Sequence, residues 1–229
     1  MFNRFTAIFL FRDLIYVPQL GTVSGVSQLL ELLKNKNIKQ VKLFFAADLT
    51  YFHFFTNQEK ESPLVSLQAE IPEKVGDVDW YLQDQQALVF ASGIYRQLNQ
   101  VLSANNINFS SPVSLPLALC EQVKKENKLK LLIAQLENKL EWVLFKKERI
   151  FLAQSLNLDA SQINSLLTEI VEVAKNEAQE QIQQVIFLGD SFPLVLQNYQ
   201  SLLQIKLLKL NWGQLVNSSN RYQLQKVKI

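Results

Sequence analysis

Two stretches far apart in the chain are built alike. "IKQVKLFFAAD" (38–48) and "IQQVIFLGD" (182–190) each run from a polar lead-in through an apolar strand to a terminal Asp. An amphipathic helix precedes each stretch, and apolar strands precede each helix, so the order strand, strand, helix, strand occurs twice. A helix with one apolar stripe and a strand with one apolar face must cover each other to leave water. The repeat therefore restricts the chain to an α/β architecture of two halves of like fold, the second with a larger opening.

In the first copy, "FTAIFLFRDLIYVPQL" (5–20) reads as two short strands around the polar turn "RD". Val26, Leu29, Leu30 and Leu33 then recur at helical spacing within 24–37, with Ser24 as the expected N-cap. In the second copy, residues 128–156 split at "ENK" and "KKER" into a three-stranded meander. The helix that follows, within 159–180, has Asp159 or Ser161 as N-cap and Ile163, Leu166, Leu167, Ile170 and Val173 on one face. Between the copies, 66–92 gives a Pro-bounded turn and a hairpin broken near "QDQQ", and 93–106 a helix with Ile94, Leu98, Val101 and Leu102 inward. A strand, a Pro-marked bend and a helix from about Pro116 fill 107–127. No flexible linker separates these parts.

Composition removes several functions. The net charge is +2, and the densest basic stretches, "KKENKLK" and "KKER", contain acidic residues, so no concentrated basic face is on offer to nucleic acid. Cys120 is the single cysteine, which excludes an internal disulfide and a cysteine-based metal site. The apolar start is interrupted by Arg12 and Asp13 and reads as a strand and turn instead of a leader peptide, and no run reaches the roughly twenty apolar residues of a membrane span. A cytoplasmic location is expected. Six glycines in 229 residues leave no G-x-G-x-x-G or P-loop, the patterns that let backbone amides approach a phosphate.

"VIFLGDSFPLVLQNY" (185–199) contains a Gly-Asp-Ser triplet of the kind that carries the nucleophile in SGNH hydrolases. A serine nucleophile needs a base within hydrogen-bond reach. The lone histidine, His53, sits among aromatics in "LTYFHFF", and "SLLQIKLLKLNWGQLVNSSNRYQLQKVKI" supplies neither Asp nor His. No catalytic residue is therefore expected. Gly189 is read as permitting a tight strand-to-helix turn, with Asp190 or Ser191 capping a helix that begins near Pro193. Glu137 and Glu141 flank a turn, and Asp77, Asp79 and Asp84 lie in the hairpin, where solvated loop charge is the expectation. Trp80, Trp142 and Trp212 are read as core aromatics, with Trp80 also placed to anchor a partner.

The order of elements, together with "EIPEKVGDVDWYLQ" (70–83), "LNQVLSANNINFSSPVSLPLAL" (98–119) and "LLIAQLENKLEWVLFKKERIFLAQSL" (131–156), resembles the PilM branch of the actin-like ATPase superfamily and the related GspL cytoplasmic domains. The resemblance covers most of the chain. It implies two ribonuclease-H-like halves flanking a nucleotide cleft, residues 1–65 and 116–229, with a small α+β subdomain, 66–115, inserted in the first half. It also implies a role in type IV pilus assembly or type II secretion, with the cytoplasmic tail of a PilN-like membrane protein held in a groove formed by parts of 66–115. Attachment at the inner face of the cytoplasmic membrane goes with that role.

The departures from the family concern chemistry. Its first phosphate loop is an Asp-x-Gly followed by small hydroxylated residues, and here the position reads "FLFRDLIY". Its second is again Asp-x-Gly with Thr or Ser, and here it reads "AQLENKLEW". The adenosine-side turn alone persists, as Gly189, Asp190 and Ser191. Without glycines the amides cannot close on a phosphate, and without the loop carboxylate no metal is held. The expectation is a scaffold with neither catalysis, cofactor nor metal. The alternative is an ATP-binding actin-like ATPase or a small-molecule kinase with atypical phosphate loops. The tail "GQLVNSSNRYQLQKVKI" does not match the family's closing helix.

Overall fold

The computed structural model describes residues 5–54, 78–83, 86–109, 112–123, 126–147, 149–157, 159–190, 193–194, 196–197, 204–210 and 215. Among the described residues the chain divides into two compact units, one up to Ser114 and one from Leu115 onward.

The first unit opens with β1 (Thr6–Leu10), β2 (Ile15–Val17), β3 (Gly21–Val23), α1 (Val26–Asn35) and β4 (Gln40–Phe45). The second places β10 (Lys130–Leu136), β11 (Lys139–Lys146), β12 (Arg149–Asn157), α4 (Ala160–Val173) and β13 (Gln184–Leu188) in the same order, after a short helix, α3 (Leu115–Cys120). Their sheets follow the same path. In one the order is β3-β2-β1-β4-β8, with β8 at Asn108–Phe109 and β9 (Val113–Ser114) also pairing β4; in the other it is β12-β11-β10-β13-β14, with β14 at Lys206–Leu208. Each first strand is antiparallel to its hairpin partner and parallel to the strand after the helix, so each helix is the crossover that a parallel pair requires.

Two expectations are corrected. The first half opens with three strands, not two. The missed strand, β3, is three residues long, begins at Gly21 with φ 99°, and is half exposed or exposed throughout, so it carries no apolar alternation to betray it. The N-cap of α1 is Gly25, in extended backbone, not Ser24. Ser24 lies one residue outside, where its N–H and Oγ–H both donate to Gln28 Oε1 at 3.0 Å. Glycine at the cap leaves the exposed first-turn amides to water, and the glutamine reaches back to fix the entry of the chain.

Burial follows the helical and strand periods. Leu29 and Leu33 of α1 are buried, as are Ile163, Leu166 and Ile170 of α4, while Leu167 and Val173 pack at the margin. The α4 face covers Leu131, Ile133, Leu140, Trp142, Leu144, Val185 and Phe187 on one side of the second sheet. In the first sheet, Phe9 stacks between Tyr16 and Phe44 on one face, with centroids 6.0 and 5.0 Å away. On the other face Tyr95, from α2 (Ser92–Ala104), meets Phe45 and Phe109 at 6.2 and 6.5 Å. Aromatic pairs at such distances contribute about 0.5–1.5 kcal/mol each beyond area burial.

A separate three-stranded antiparallel sheet, β5-β7-β6, lies between β4 and α2 in sequence. It joins β5 (Thr50–Phe54) with the hairpin of β6 (Val78–Gln83) and β7 (Gln86–Ala91). His53 is a β5 residue opposite Ala87, and Trp80 a β6 residue opposite Val89.

Candidate functional site

The first of the three turns singled out in the sequence, "RD", joins β1 to β2 in the first unit. Two of its amides are taken up by the chain itself. Phe11 N–H donates to the Leu14 carbonyl at 2.9 Å, and Arg12 N–H donates to Asp48 Oδ2 at 3.0 Å. The Arg12 guanidinium also reaches the Asp48 carbonyl, at 3.0 Å. Phe11 is 2% exposed, so the turn is anchored by a buried aromatic ring. Asp48 sits in the 3-10 turn Ala47–Leu49 that follows β4, and Thr50 Oγ1 donates to the Ala46 carbonyl to hold that turn. Asp48 is the terminal Asp of the repeated stretch; sequence reasoning noticed its recurrence without assigning it this partner.

The second turn joins β10 to β11 in the second unit. Leu136 pairs with Lys139, leaving only Glu137 and Asn138 in the loop. Glu137 has φ 58°, a left-handed conformation that an L side chain adopts at a cost, and Gln135 Nε2 donates to its carbonyl at 3.2 Å. Neither residue of the turn is glycine. Glu137 is exposed, whereas Glu141 is fully buried on β11 and accepts a hydrogen bond from Ser155 Oγ.

The third turn follows β13. Gly189 is buried, and its N–H donates to the Leu208 carbonyl at 3.1 Å. A Cβ on Gly189 would come within 2.6 Å of Phe187 Cε1. Glycine is needed here because a core ring lies under the backbone, and no positive φ is involved. Asp190 is exposed, and Ser191 lies outside the described residues. Leu194, Leu196 and Gln197 are helical, and Leu196 N–H donates to the Pro193 carbonyl at 2.9 Å.

Of the other sequence candidates, Trp142 is a core residue whose Nε1 is buried with no hydrogen-bond partner among the described residues. Cys120 is buried at the end of α3 and is not in a disulfide. Asp79 is a β6 residue opposite Phe90; Asp77, Asp84 and Trp212 lie outside the described residues. Among the described residues, no three His, Cys, Asp or Glu side chains are grouped to hold a metal ion. Burial lowers the basicity of the Arg149 guanidinium, and the Glu177 carboxylate opposes that shift. Arg149 also lies 4.3 Å over the Phe151 ring.

No protein-family model matches the sequence, and neither does any curated protein. Solved structures do. The cytoplasmic domain of EpsL, an inner-membrane component of the type II secretion system of Vibrio cholerae, superposes with a TM-score of 0.62 over 97% of this chain and 96% of its own, at 16% identity. A Bacteroides thetaiotaomicron protein of actin-like ATPase fold and unknown function gives 0.54, at 14% identity and 90% of each chain. The PilM–PilN type IV pilus biogenesis complex gives 0.54, at 10% identity, over 92% of this chain and 89% of that one. With the duplicated strand order described above, these likenesses establish that the chain has the actin-like ATPase fold.

Proposed function

We propose that this protein is a non-catalytic scaffold of a type IV pilus or type II secretion-like assembly. It binds the cytoplasmic tail of a PilN-like membrane protein at the inner face of the cytoplasmic membrane. The observation that carries the reading is the bond from Arg12 N–H to Asp48 Oδ2. An amide that the family offers to a phosphate is here given to a carboxylate of the same chain. An incoming anion would have to displace that carboxylate and meet its like charge. The two-residue turn at Glu137 and the engaged amide of Gly189 support the same reading.

The direction of the proposal comes from coverage. EpsL and PilM–PilN both match this chain nearly end to end, so the likeness is to whole domains of assembly proteins and not to a shared fragment. Among the described residues no helix is long and apolar enough to cross a membrane, and in this reading the partner supplies the anchor. The groove for the tail is assigned to parts of 66–115, a stretch that includes the β6–β7 hairpin and α2. An extended tail held there by main-chain hydrogen bonds and side-chain pockets is a familiar mode of peptide recognition.

Isothermal titration with ATP and magnesium is expected to show no binding in the micromolar range; micromolar affinity would replace this reading with the nucleotide-dependent one. Affinity capture with the tagged full chain from its native host is expected to recover a membrane-anchored assembly protein. Recovery of none would count against the scaffold.

A further inference from the structure

We draw no further inference here: the strongest candidate, the largely apolar groove of about 720 Å³ between the end of α4 and the segment leading into β13, lined by Val171, Ala174, Lys175, Gln179, Glu180 and Ile182, carries nothing, because its two lining charges oppose each other, Glu180 is already paired with Lys146, and nothing in the structure shows what covers it.

Discussion

The carboxylate of Asp48 accepts the backbone N–H of Arg12 at 3.0 Å, across 36 residues of sequence. This bond ties the β1–β2 hairpin to the end of β4 and occupies an amide at the first phosphate-loop position. Asp48→Ala removes a charged acceptor from an engaged amide and is expected to destabilise the protein by about 1–3 kcal/mol. Asp48→Asn, which keeps an acceptor oxygen, should lose less. Urea denaturation of the two variants checks this, and equal midpoints for Asp48→Ala and the parent would remove the hairpin lock from the account.

Gly189→Ala forces a methyl group to within 2.6 Å of a ring carbon of buried Phe187. The expected destabilisation is about 1–3 kcal/mol, the usual range for overpacking. Because the cause is contact with one ring, Phe187→Leu should cost less in the Gly189→Ala background than in the parent. A double-mutant cycle that proves additive would contradict the contact.

Ile170 and Val171 are adjacent on α4 and differ in burial, 1% against 61% exposed. Ile170→Ala opens a cavity against the second sheet and is expected to cost about 2–5 kcal/mol. Val171→Ala, on the solvent side, should stay within about 0.5 kcal/mol of the parent. Thermal unfolding of both reads the helical phase of the segment directly.

Lys42 is buried on β4, and desolvation pushes its ammonium below the ordinary lysine range. A cation whose folded pKa is depressed destabilises the fold while it stays protonated. Stability is therefore expected to rise with pH from the depressed pKa and to level off above the unfolded value of about 10.4. Lys42→Met should abolish that part of the slope, as measured by denaturant midpoints through the alkaline range. An unchanged slope in the variant would assign it to other groups.

Much of the fold was legible because it rests on short-range periodicity. The i, i+3, i+4, i+7 recurrence at Leu29 and Leu33, and again at Ile163, Leu166 and Ile170, located both crossover helices and their buried faces. The turns "RD" and "ENK" marked two hairpins that the structure keeps. β3 escaped because a three-residue edge strand with Thr22 exposed has no apolar pattern. The cap of α1 was misplaced by one residue because the serine signal outweighed Gly25.

The sequence by itself determined the duplicated order of elements and the poverty of glycine at the phosphate-loop positions, since both depend on residue type and on neighbours a few positions away. The tertiary structure alone decided where the polar groups of those turns go: Arg12 N–H to Asp48, Gly189 N–H to Leu208, and the glycine requirement at 189 set by the Phe187 ring. Partners of that kind are chosen by which strands the sheet brings side by side. Strand pairing joins residues remote in sequence, so local periodicity carries no record of the choice.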